Sequence, residues 1–161
     1  MEERTKKRFD IACDEIGWAS ISLVAQCCQA FLKVNREYYA CSALIDCEAR
    51  GMEESSYYQI LRDGSEENLE RYRAGRPAFG ATPLDDIPDV QTGKETRVQY
   101  NTLALSGYNA VLLRVARIVD TGALSQLVSR IVKQHFEKYW ESNYYPQIYL
   151  NQNCKFKQEE S

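Results

Sequence analysis

The chain has 161 residues, 44% hydrophobic and 27% charged, with a formal net charge of -3 and a pI near 5.3. That length and balance suit one globular domain with its own core and exclude an intrinsically disordered chain. The acidic excess excludes a strong, non-specific nucleic-acid binder, although charge is uneven, acidic over 53–95 and mildly basic beyond, so a local basic face stays open.

Residues 1–8 are charged and read as a frayed start. Asp10–Val34 reads as one long helix. At about 100° per residue, Ala12, Ile16, Leu23 and Cys27 fall on one side and Ile11, Trp18, Ile21, Cys28 and Leu32 on the other. Only a narrow polar stripe remains, made by Glu15, Ser22, Gln26, Gln29 and Lys33. A helix apolar nearly all round must be buried nearly all round, so this stretch is expected to be the central post of the domain or part of a subunit interface. Its apolar run is too short and too often polar for a membrane span, which needs about 20 apolar residues. Arg4, Lys6, Lys7 and Arg8 imitate the start of a signal peptide, but Asp10, Asp14 and Glu15 interrupt it. The expectation is a soluble, cytoplasmic protein with no membrane partner.

Asn35 predicts a break, and a second helix over about 36–50 places Tyr38, Cys41, Ser42, Ile45 and Ala49 on one packed face. Gly51, Gly64 and Gly75 each stand where a left-handed residue closes a helix. Between them lie two short helices, 55–62 and 65–74, the second with Ser65 as N-cap, acidic residues first and arginines last. From Gly75 to Lys94 prolines and glycines alternate, which predicts one long loop running to about residue 96. Residues 97–104 alternate as a short strand would, but lack a partner, so a helix from about Asn101 is preferred. Its stripe is Leu105, Tyr108, Leu112, Val115 and Val119, ended by Asp120-Thr121-Gly122. A last helix over about 122–142 carries Leu124, Leu127, Val128, Ile131, Val132, His135, Phe136 and Tyr139 inward. Pro146 forbids simple continuation, so 146–161 reads as a polar tail. The fold class predicted is therefore all-α, a single-domain helical bundle of four to six helices, with helical halves 5–74 and 97–145 separated by the loop.

The chemistry-bearing residues form no recognised motif. His135, the one histidine, can serve as base for a cysteine nucleophile, but its place on the buried stripe makes it a core histidine. Cys27-Cys28 and the pair Cys41, Cys47 lack the spacing of a zinc site, and six cysteines without a leader read as reduced, buried thiols. Asp85, Asp86 and Asp89 match no calcium loop and read as solvated charge. No metal, cofactor or catalytic set is implied, and the balance leans away from an enzyme.

Three functions remain. The first is a non-catalytic helical interaction protein, self-associating or a small subunit of a larger assembly, with Trp18, Leu32, Tyr38 and Tyr39 in or beside the interface. Tyrosine supports it, since there are 11, several in doublets, and tyrosine suits interfaces. The second is a nucleic-acid-binding subunit holding RNA or single-stranded DNA phosphates on a face made by Arg114, Arg117, Arg130 and Lys133. The third is a small-molecule or nucleotide pocket between the helical halves, with the 75–94 loop as lid.

Overall fold

The computed structural model describes residues 1–90, 105, 107–120 and 123–160. It is all-helical among those residues, as the periodicity predicts, with helices more numerous than four to six. In chain order these are α1 (Glu3–Ile16), α2 (Ser20–Val34), α3 (Arg36–Ala49), α4 (Glu54–Asp63), α5 (Glu66–Ala74), α6 (Gly107–Asp120), α7 (Leu124–Tyr139), a π-helical turn (Trp140–Tyr144) and α8 (Tyr145–Glu160). Among the described residues no helix is long and apolar enough to cross a membrane. The strand considered at 97–104 lies outside the described residues, as does the loop beyond Val90.

The central post is α6, not Asp10–Val34. It packs against α2, α3, α4, α5 and α7. From Val111 to Asp120 only Arg114 and Arg117 escape full burial. The expected long helix is instead two. Gly17 adopts φ 81 and closes α1 with its N–H on the Cys13 carbonyl, the left-handed stop that only glycine takes without strain. With the rod divided, α2 needs cover on one side only. It buries Leu23, Val24, Cys27, Cys28, Phe31 and Leu32 and leaves Val34 exposed, as is Trp18 in the turn before it.

Asn35 does separate α2 from α3, its side-chain amide donating to the Phe31 carbonyl at 2.9 Å. The buried face of α3 is rotated by one residue from the expected one. Tyr39, Ser42, Ala43, Asp46 and Cys47 point inward, and Cys41 and Ile45 are exposed. The cause is a polar core. Asp46, wholly buried, accepts from Arg50 Nε at 2.8 Å and from the Tyr57 hydroxyl at 2.5 Å. Arg50 also donates to the Tyr72 carbonyl and lies 4.3 Å over that ring, which stacks on Tyr57. One carboxylate thus ties α3, α4 and α5 together.

Ser65 caps α5 as read, accepting from the Asn68 N–H, whereas Gly75 closes α5 at φ -97 rather than in the left-handed region. The polar tail expected after Pro146 is a helix. Tyr145 N donates to the Trp140 carbonyl five residues back, so the chain is widened by a π turn just ahead of the proline. That extra room accepts the ring, whose clash with the carbonyl four residues back ordinarily ends a helix. The resulting α8 folds back on α1, where Ile148 is buried and Asn151 donates to the Glu15 carbonyl at 3.1 Å.

Candidate functional site

A cavity of about 700 Å³ opens between α1, α2, α7, the π turn and the start of α8. Its inner wall is apolar, made by Ala12, Ile16, Leu23 and Ala30, and its rim carries Trp18 and Val34. Polar groups enter at few points: Gln26 and Lys33 from α2, Asn143 and Gln147 from the far side, and His135, Tyr139 and Tyr144 along one wall. Among the described residues no acidic side chain lines it, and Lys33 is the one formal charge on its wall. The polar stripe of α2 read from the sequence thus supplies two of the pocket's hydrogen-bonding groups.

His135 and Tyr144 meet here because of the π turn. Nine residues along a regular α-helix put two side chains about 180° apart. A π turn holds one residue more, which shifts the phase by about 100° and swings Tyr144 round to the His135 side. Nε2 and the tyrosine hydroxyl are then 2.7 Å apart, one hydrogen bond whose direction follows the ring tautomer. Phe136 and Trp140 pack on Tyr144, and Phe9 of α1 packs edge-on against Phe136, so the pair sits in an aromatic wall. Burial, with the Lys138 charge adding to it, holds the imidazole down to about 4, and the ring is neutral at pH 7. Burial raises the Tyr144 phenol.

The residues singled out from sequence scatter. Trp18 stands at the pocket rim, 41% exposed. Leu32 and Tyr39 belong to the core, not to an exposed interface, and Tyr39 donates to Asp120 Oδ2 at 2.7 Å. Tyr38 is half-buried beside it.

The four basic residues are not brought to one face. Arg117 makes a paired contact with Glu66 at 2.8 Å and Arg114 donates to the Arg62 carbonyl at 3.0 Å, both toward α4 and α5. Arg130 donates to the carbonyls of Leu84 and Ile87, and Lys133 pairs with Glu2 at 2.8 Å. Each cation already answers an internal partner. Asp85 accepts from the Thr82 N–H and hydroxyl, while Asp86 and Asp89 are exposed. Among the described residues no group of three His, Cys, Asp or Glu can hold a metal ion.

Burial raises the thiol of Cys27 and lifts that of Cys28 to about 12, the reverse of what activates a thiolate, so neither is prepared as the nucleophile considered for His135. Of the 75–94 segment considered as a lid, residues 75–90 supply no lining residue of this pocket, and 91–94 lie outside the described residues.

Sequence reading missed Asp46 and Asp120 as buried carboxylates and Asn143, Tyr144 and Gln147 as pocket residues. The carboxylates carry no local signal, because Tyr57 and Tyr39, which satisfy them, lie 11 and 81 residues away. The pocket residues follow a π turn that the apolar pattern does not encode. What the fold and the site define is an all-α bundle with an apolar pocket of ligand size. No family model matches the chain, and no curated protein or solved structure matches it.

Proposed function

We propose that this protein is a small-molecule carrier or sensor that binds an apolar or aromatic anion, such as a medium-chain carboxylate, in the α1–α2–α7 pocket. One observation carries the reading: a preformed cavity of about 700 Å³ with an apolar wall whose only charged lining residue, among the described residues, is Lys33. Specific ligand sites have this make-up, mostly apolar with a few convergent polar groups. The neutral His135–Tyr144 pair adds a hydrogen-bonding point without a competing charge. The apolar body fits against Ile16, Leu23 and Ala30, and the anionic end meets Lys33 at the mouth. The six free cysteines support a reducing, cytoplasmic setting.

A second reading is favoured by Trp18 and Val34, large apolar side chains exposed on the same rim. Here a second copy of the chain covers the mouth, and the protein is an interaction subunit. Titration with dodecanoate and with dodecanol separates the two. The carrier reading expects saturable, one-to-one dodecanoate binding that changes tryptophan fluorescence, is weakened about tenfold by Lys33→Glu and is blocked by the pocket-filling Ala30→Phe. Dodecanol binding is indifferent to Lys33→Glu. A stable dimer by sedimentation, dissociated by Trp18→Ala and unable to take up dodecanoate, would replace the first reading with the second.

A further inference from the structure

A second cavity, of about 360 Å³, lies between the end of α6, the outward row of α7 and the segment 76–85. Its character is the reverse of the first, for Arg76, Arg130, Thr82, Asp85 and Asp120 line it and Phe79 supplies its one large apolar surface. Asp120 is the unusual member. It is more than nine-tenths buried at the C-terminal end of a helix, where the backbone carbonyls already make the potential negative. Its Oδ2 accepts from Tyr39, but its Oδ1 is enclosed and has no hydrogen-bond partner among the described residues. The hydroxyl of Tyr38, which packs on Tyr39, is enclosed as well. Burial raises that phenol, a hydrogen bond with Ser42 opposes the rise, and the charges of Asp120 and Asp85 add to it. A buried carboxylate oxygen without a donor carries its full desolvation cost, so native structures seldom leave one with nothing to meet.

The other polar groups are part-committed. Asp85 is satisfied by Thr82 at 2.7 and 2.8 Å. Arg76 uses Nη1 on the Val119 carbonyl, and Arg130 uses Nε and Nη2 on the segment, so both forks keep further N–H groups. Two arginines against two aspartates leave the cavity neutral but strongly dipolar. A plain anion entering it meets Asp120 and Asp85. A metal cation meets both guanidiniums. A molecule that carries both charges meets neither objection.

We propose that this cavity is a binding site for a small zwitterion of the free α-amino-acid type, with its ammonium on the Asp120 carboxylate, its carboxylate on the Arg76 guanidinium and an apolar side chain beside Phe79. The site is separate from the α1–α2–α7 pocket and does not depend on it. The test is calorimetric titration of the full chain with L-leucine and L-phenylalanine. Each is compared with the acid lacking the ammonium (4-methylpentanoate, 3-phenylpropanoate) and the amine lacking the carboxylate (isoamylamine, phenethylamine). The expected result is saturable binding of at least one amino acid, with both of its analogues at least about tenfold weaker. Asp120→Asn and Arg76→Gln each weaken that binding by about tenfold or more, and Arg76 is exposed, so its variant keeps the fold. Equal binding of the ammonium-free acid would make this a plain anion site and overturn the proposal. So would the failure of both amino acids to bind, leaving the cavity to water, or binding that Arg76→Gln does not change.

Discussion

His135 is the one imidazole in the chain, so its titration can be read without interference from another. In the unfolded chain it titrates near 6.5, and in the fold near 4. Between those values the unfolded state takes up a proton that the native state refuses. The His135 contribution is therefore whole above pH 6.5 and is lost as pH falls toward 4, by at most about 3 kcal/mol. Urea unfolding of the native chain and His135→Gln at pH 7, 6 and 5 checks this. The native chain is expected to lose stability relative to the variant at each step down. The N-terminal amine, whose pKa burial also lowers, cancels in the comparison. Parallel pH profiles would show that the ring protonates in place and that the aromatic wall does not exclude charge. The helical phase of His135 was legible in the sequence, and so was its burial. Its partner was not, because a regular helix would put Tyr144 on the opposite face.

Glycine positions show where an element's boundary is legible and where it is not. Gly51 and Gly64 were readable as left-handed stops because a polar residue precedes each at the end of a helical pattern, and both take positive φ. Gly17 serves the same purpose but sits between two apolar runs whose periodicities join smoothly on paper, so the pattern hides the break. The three stops differ in what a methyl group would meet. At Gly17 and Gly51 a Cβ finds open space, so alanine costs only the left-handed conformation, about 1 kcal/mol. At Gly64 a Cβ comes within 2.6 Å of the Arg114 guanidinium, which donates to the Arg62 carbonyl at the end of α4. Gly64→Ala must displace that cap as well and is expected to cost about 2 kcal/mol. In an Arg114→Ala background the excess should vanish, bringing Gly64→Ala down to the cost of Gly17→Ala. A double-mutant cycle by chemical denaturation measures the coupling, and additive energies would mean that Arg114 moves aside freely.

At the scale of the whole molecule, the proline-rich segment after α5 looks like a solvated loop by composition, yet it behaves as part of the core. Leu84, Ile87 and Val90 are buried, each contributing roughly 1.5–3 kcal/mol through its apolar area. Chain without regular structure can lie this deep only if its carbonyls find donors. Helix α7 provides them from one outward row at i, i+4, i+8. Gln134 donates to Pro83, Arg130 donates to Leu84 and Ile87, and the Gln126 amide both donates to the Val90 carbonyl and accepts from its N–H. The inward row of α7 was legible because apolar spacing marks it. The outward row reads as ordinary solvent-facing polarity, since nothing local distinguishes a side chain that bonds water from one that bonds a distant backbone. Removing the central donor should therefore act on the segment first. Arg130→Ala strips two carbonyls of charged donors and is expected to lower stability by about 2–4 kcal/mol. It should also open a protease cleavage site within 76–90 under native conditions, in a region that the parent chain protects. Dodecanoate uptake by the α1–α2–α7 pocket, which shares no residue with the segment, should persist in that variant. Protection equal to the parent's would mean that the three apolar anchors hold the segment unaided and that the α7 row merely accompanies them.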